Sequence, residues 1–206
     1  MAEASAVPLV VYVVDDDASI RDSLALMLGL GGYSTRLFVD AESFLAGFEA
    51  GWAGCVVADL RLPGMSGVEL QKKVRSVGSA IPFVIITAHG DVPAAREAFR
   101  AQAVDFIEKP FDEAQLRGAI DTGFALETRR VQAGELRQAD AAKLARLTAR
   151  EREVLEHAVR GRHAKEIARL LGISPRTVEV HRTRIMEKLE VRNVAELVRF
   201  VVAAER

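Results

Sequence analysis

The sequence predicts an α/β domain with a doubly wound, five-stranded parallel sheet, followed by an all-α segment that carries a helix-turn-helix. Apolar runs of strand length alternate with amphipathic stretches of helical length in five successive units up to about residue 126. Beyond that point only helical patterns recur. Charge divides at the same place: residues 1–126 carry 10 Lys+Arg against 17 Asp+Glu, and residues 127–206 carry 18 against 12. The first part is thus near −7 and the last near +6, which suits an acidic, cation-binding half and a basic half for a polyanion.

The strands are expected near 9–14, 33–38, 55–59, 82–87 and 103–107, and the helices near 18–30, 41–50, 67–77, 92–100 and 112–127. Near-continuous apolar runs in four of the strands indicate burial on both faces, as helices on either side of a parallel sheet require. The second strand contains Ser34, Thr35 and Arg36, so it is amphipathic and belongs at an edge. From Glu127 to Lys143 the chain is rich in Arg, Gln and Ala without strong apolar periodicity, and reads as a helical, solvated linker.

Thr148-Ala149-Arg150-Glu151 is a capping box, in which Thr and Glu satisfy each other's helix-end amides. A helix over 164–171 follows, then Gly172-Ile173-Ser174 and a segment opened by Pro175. Gly172 can close one helix in a left-handed conformation, Ser174 can cap the next, and Pro175 suits a first position where no amide hydrogen is needed. On this second helix Val178, Ile185 and Leu189 share one face. Arg176, Val180, Thr183 and Glu187 lie opposite, with Glu179, Arg184 and Lys188 on the flanks. The outward face can enter a major groove while flanking bases meet phosphates.

Composition, at 50% hydrophobic and 28% charged, is that of an ordinary soluble globular protein. No apolar stretch approaches the roughly 20 residues needed to span a bilayer, and the first residues do not resemble a signal peptide. The single Cys55 falls inside a core strand and reads as a small buried hydrophobe, which fits a reducing cytoplasm.

Chemistry concentrates at the strand ends. Cys55-Val56-Val57-Ala58 runs into Asp59, which opens the loop Leu60-Arg61-Leu62-Pro63-Gly64-Met65-Ser66-Gly67. Asp15 and Asp16 end the first run, Thr87 the fourth, and Lys109-Pro110 follows the fifth. Open α/β sheets bind ligands at this edge, so three carboxylates, a hydroxyl and an ammonium are expected on one rim.

Residues 9 to about 126 resemble the receiver domain of two-component response regulators, and about 144–206 resemble the LuxR-type helix-turn-helix domain. The motifs that carry the likeness are the acid pair, the Asp59 loop, Thr87, Lys109-Pro110, Thr148-Ala149-Arg150-Glu151 and Lys165-Glu166-Ile167-Ala168. Together they resemble a FixJ/NarL-type regulator. Ile85-Ile86-Thr87-Ala88-His89-Gly90-Asp91-Val92-Pro93 and Val104-Asp105-Phe106-Ile107-Glu108-Lys109-Pro110-Phe111 are closest to the FixJ branch.

The resemblance implies a flavodoxin-like receiver over 1–126, a helical linker over 127–143 and a DNA-binding domain over 144–206. It implies that Asp59 accepts a phosphoryl group from a sensor histidine kinase. Mg²⁺ would be held by Asp15, Asp16, an Asp59 oxygen and the backbone carbonyl of Arg61, a hard-oxygen set of the kind that ion prefers. Lys109 would balance charge on the phosphoryl oxygens, and its bond to Pro110 is a candidate cis peptide. Thr87 and Phe106 would be the switch pair. The phosphorylated form would be a homodimer through 92–101 and 103–107, binding double-stranded DNA at an inverted repeat, with RNA polymerase a further partner. Lys165, Arg176, Thr177, Glu179, Val180, His181, Thr183, Arg184 and Lys188 are the candidate DNA contacts.

Each motif also has a plainer reading. Asp15, Asp16 and Asp17 are common helix caps, Thr87 could cap a loop, and Phe106 could be core. His89 has no nucleophile to serve and reads as a loop hydrogen-bonding residue. His181 borders the buried face of its helix, which favours a structural or phosphate-contacting role over base reading. Glu179 repels phosphate but could accept from a cytosine amino group. Two other function classes are an Mg²⁺-dependent phosphoryl-transfer enzyme, which would need a substrate pocket beside Asp59, and a protein- or RNA-interaction module without duplex binding.

Overall fold

The structure, a computed structural model, describes residues 9–49, 51–88 and 90–204; the reading of His89 lies outside them. The chain divides into two compact units, residues 1–131 and 132–206.

The first unit alternates strand and helix: β1 (Val10–Val14), α1 (Ala18–Leu30), β2 (Ser34–Phe38), α2 (Ala41–Gly47), β3 (Gly54–Asp59), α3 (Gly67–Ser76), β4 (Phe83–Thr87), α4 (Val92–Arg100), β5 (Asp105–Glu108) and the start of α5 (Glu113–Ala145). All pairings are parallel, in the order β2-β1-β3-β4-β5. The amphipathic β2 is an edge strand, as its polar residues require. Side chains alternate across the sheet, so each strand feeds two cores. Tyr12, Val14, Val56, Ala58, Phe83 and Ile85 pack against α2, α3 and α4, whereas Val11, Val13, Cys55, Val57, Val84 and Ile86 pack against α1 and α5.

One element ends short of expectation, and the two helical stretches expected over 112–127 and 127–143 are a single helix. α2 stops at Gly47 rather than 50, because Phe48 is extended (φ −73°, ψ 130°) and its ring stacks in a cluster with Phe44 and Trp52. α5 continues past 127 to Ala145 with no break. Its later residues need no apolar stripe to stay helical, since Ala, Gln, Glu, Arg and Leu are all good helix formers. No helix among the described residues is long and apolar enough to cross a membrane.

The second unit holds the last turns of α5 with α6 (Ala149–Val159), α7 (Ala164–Leu171), α8 (Pro175–Leu189) and α9 (Val194–Ala204). Val154, Leu155, Ile167, Val178, Ile185, Leu189 and Leu197 form its core.

Candidate functional site

Asp59 is the last residue of β3 and is 7% exposed. Its backbone is fixed from both sides: Leu60 N donates to Ile86 O at 2.7 Å, and Gly67 N donates to Leu60 O at 3.1 Å. A Cβ at Gly67 would stand 2.4 Å from Asp59 O, so a glycine is needed for α3 to start this close to the strand end. The Asp59 carboxylate accepts from Arg61 N at 2.6 Å through Oδ2 and from Lys109 Nζ at 2.8 Å through Oδ1.

Asp15, 1% exposed, accepts from the same ammonium, also at 2.8 Å, and from Asp17 N at 2.9 Å. Its carbonyl accepts from Arg21 Nη1 at 2.7 Å. Burial works against the charge on Lys109, but the hydrogen bonds to Asp15 and Asp59 outweigh it and hold its pKa above the usual lysine value. The single ammonium thereby bridges two carboxylates that would otherwise repel each other at short range and offsets one of their two charges.

The three neighbouring acids have separate places. Asp17 caps α1, accepting from Ser19 N at 2.8 Å. Asp15 faces inward, and Asp16 is exposed beside it. Among the described residues no group of three or more His, Cys, Asp or Glu side chains is arranged to hold a metal. The donor chemistry still fits a hard cation: Asp15, Asp16 and Asp59 supply carboxylate oxygens, and Arg61 a carbonyl two residues after Asp59. Receiver domains as a class use Mg²⁺ for phosphorylation.

Thr87 is fully buried at the end of β4, and its carbonyl accepts from Lys109 N at 2.7 Å. The Lys109–Pro110 peptide is cis. Phe106 is half-buried on β5, beside Ile85 of β4. Gly90 joins the pair: a Cβ there would lie 3.1 Å from the Phe106 ring and 3.5 Å from Thr87 Cγ2. The loop after β4 therefore rests on both residues at once.

In the second unit Gly172 closes α7 in a left-handed conformation (φ 66°), and Ser174 caps α8 by accepting from Thr177 N at 3.0 Å. Val178, Ile185 and Leu189 anchor α8 in the core, leaving Arg176, Glu179, Val180, Thr183 and Arg184 exposed. Lys165 is exposed on α7. Thr177 is half-buried, with its hydroxyl 2.8 Å from that of Ser174. Glu179 is paired with Arg182 at 3.1 Å, which offsets its charge on a surface suited to phosphate. His181 is half-buried, and its Nδ1 is buried without a partner among the described residues. Lys188 is directed at Glu151, 2.6 Å away. Arg21 and the Glu151 side of this pair escaped the sequence reading. Arg21 falls one turn into α1, where a base can return to the strand end, but the spacing to Lys188 carries no local signal.

The family described as "Response regulator receiver domain" matches residues 11–121, and "Bacterial regulatory proteins, luxR family" matches residues 145–201. The transcriptional regulatory protein FixJ of Bradyrhizobium diazoefficiens is 42% identical over 194 residues, covering 94% of this chain and 95% of that protein. FixJ of Rhizobium meliloti is 44% identical over 197 residues, covering 94% and 95%. Among solved structures, the response regulator StyR superposes with a TM-score of 0.84 at 43% identity, covering 95% of this chain and 99% of that one. These relatives are transcriptional regulators, not a family of catalytic enzymes. A receiver implies a histidine kinase partner, and a luxR-type domain implies DNA. Sequence, fold and both family matches thus agree that this chain belongs to the two-component response regulators with a LuxR-type DNA-binding domain.

Proposed function

We propose that Asp59 is the phospho-acceptor of a transcriptional switch. One observation carries the reading: Lys109 Nζ is 2.8 Å from both Asp59 and Asp15, a fixed cation where a phosphoryl oxygen would need one. An Asp59 carboxylate oxygen attacks the phosphorus of a kinase phosphohistidine. The P–N bond breaks, the imidazole leaves with the electron pair, and an aspartyl phosphate forms. Mg²⁺ held by Asp15, Asp16, Asp59 and the Arg61 carbonyl would neutralise charge on the attacked phosphoryl group. The Lys109 ammonium follows one of the new oxygens.

A donor must approach over the rim. An apolar cleft of about 470 Å³, lined by Ile20, Leu24, Met27, Pro110 and Phe111 beside Lys109, would receive it. The Thr87 hydroxyl then turns to donate to the phosphoryl group, drawing the loop at Gly90 with it. Phe106 fills the space released, and the surface of α4 and β5 changes. Val92 and Phe99 are already exposed on α4 and supply apolar area for a homodimer. Two α8 helices would then read an inverted repeat, with Arg176, Thr177, Glu179, Val180, His181, Thr183 and Arg184 near the groove and Lys165 near the backbone; RNA polymerase is a further partner. The working divisions are a receiver over 1–126, a linker over 127–143 and a DNA-binding domain over 144–206, acting in the cytoplasm.

The deciding experiment is selection of duplex fragments from a random pool by the full chain, with and without acetyl phosphate and Mg²⁺. A specific duplex enriched more strongly with the phosphodonor is expected. Equal enrichment in the Asp59→Asn variant would refute the phospho-acceptor assignment.

A further inference from the structure

Consecutive residues of α6 reach the end of α7, just before the turn into α8, and the far end of α8 itself. Arg150, in the first turn of α6, donates through its guanidinium to the carbonyl of Leu171, the last residue of α7 before the turn into α8. Its neighbour Glu151 is 3% exposed and has two partners on one oxygen: Thr148 N at 2.8 Å and Lys188 Nζ at 2.6 Å. Lys188 also donates to the carbonyl of Arg146 at 3.1 Å, so two of its three N–H groups are already committed. Two residues further, Glu190 closes α8 in a left-handed conformation (φ 57°) and is paired with Lys143 at 2.6 Å.

An ammonium in this setting is poorly placed to serve DNA. To reach a phosphate it would have to leave a buried carboxylate without its cation, and a buried acid that loses its partner is strongly unfavourable. The capping box by itself needs Glu151 only to accept from the Thr148 amide. A second, charged partner 37 residues away fixes something else, namely where the far end of α8 lies.

We infer that the Glu151–Lys188 pair is a positioning element: it sets the inclination of α8, so sequence discrimination depends on two residues that do not contact DNA. This rests on the reading of α8 as the helix that enters the groove. Base-edge contacts are sensitive to a small tilt of the helix, whereas backbone contacts spread over several flexible bases tolerate it. Loss of the pair should therefore lower specific binding while leaving the electrostatic component of binding in place.

The test uses the full chain, the tightest duplex from a random-pool selection and a scrambled duplex of equal length, over a range of salt. Lys188→Met and Glu151→Gln should each reduce the ratio of specific to non-specific affinity by about tenfold, the size expected for loss of one base contact. The log-log salt slope should stay unchanged, because no phosphate contact is lost. Lys188→Arg should restore discrimination. A Lys188→Met slope shallower by about 0.9 would make Lys188 a phosphate ligand and overturn the inference. Val180→Ala is the control for docking. If Val180→Ala lowers discrimination and Lys188→Met does not, the anchor alone is wrong; if neither does, α8 is not the reading helix and both fall. Should Glu151→Gln fail to fold, Lys188→Met decides, since it leaves the capping box intact.

Discussion

Lys109 Nζ stands 2.8 Å from Asp59 Oδ1, joining the end of β3 to the loop that follows β5. Asp59 has its other oxygen on the Arg61 amide, so its carboxylate is oriented before any ligand arrives. Such preorganisation favours in-line attack on a phosphoryl group. Incubation with acetyl phosphate and Mg²⁺ should add one base-labile phosphoryl group to the wild type and none to Asp59→Asn, read by intact-protein mass spectrometry. Labelling of the variant to the same extent would place the nucleophile elsewhere.

Asp17 caps α1, which leaves Asp15 and Asp16 for other work. Asp16 is exposed and Asp15 is engaged with Lys109, so the two should respond differently to removal. Asp16→Ala should weaken Mg²⁺ binding by tenfold or more in a calorimetric titration and leave the melting temperature nearly unchanged. An unaltered titration would make Asp16 a surface acid and no ligand.

Lys109 also gives a pH signature. Its folded-state pKa is raised above the unfolded value, so its stabilisation is complete below the ordinary lysine value of about 10.4 and is lost as pH rises through the folded one. At neutral pH, Lys109→Met should be less stable than wild type by roughly 1–3 kcal/mol, the range for a buried polar group left without its partner. The gap in melting temperature between the two proteins should close on the alkaline side of pH 10. A gap independent of pH would assign the loss to packing of the lysine stem.

Much of this architecture is legible in the chain because alternation is physical. Val10–Val14 is apolar throughout, and such a short run set between longer amphipathic stretches reads as a strand buried on both faces; Val11 and Val13 do face one core and Tyr12 and Val14 the other. Gly172 and Ser174 likewise announce the turn they make. The end of α2 was not legible, since it depends on where the Trp52 ring stacks. The helical character of 127–143 was legible, but its fusion with the preceding helix into one unbroken α5 was not, because a solvated helix leaves no apolar stripe to carry the phase across. At the site, Asp15, Asp16 and Asp17 are adjacent letters whose separate places arise from the turn of the chain. The partner of Lys188 lies in another helix, and helical phase alone shows it as one more flanking base.

Gly67 marks where packing and chemistry meet. A Cβ at this position would come within 2.4 Å of Asp59 O and 3.4 Å of the Ala58 side chain, and neither is a flexible chain end that can swing aside. Gly67→Ala should therefore shift α3 against β3. Overpacking of this kind is destabilising by about 1–3 kcal/mol. Phosphorylation should slow at the same time, because the displaced strand end carries Asp59, the proposed nucleophile. A denaturant midpoint and a phosphorylation rate both at wild-type values would show that the loop absorbs the methyl group.

In the proposed switch Thr87 and Phe106 would carry the consequence of phosphorylation outward, and Gly90 lies against both. Thr87→Ala removes neither the nucleophile nor a carboxylate, and its backbone carbonyl still accepts from Lys109 N. The variant should therefore accept phosphate to the wild-type extent. Without the hydroxyl, the β4–α4 loop has no new hydrogen bond to draw it in, and Phe106 has no vacated space to enter. Sedimentation velocity on the phosphorylated variant should show a dimer fraction close to that of the unphosphorylated protein, whereas the phosphorylated wild type should shift toward dimer. Phe106→Ala would be expected to blunt the response from the other side, with α4 free to shift before phosphorylation. A full dimerisation response in Thr87→Ala would mean that the phosphoryl group reaches the α4–β5 surface by a route that bypasses the hydroxyl.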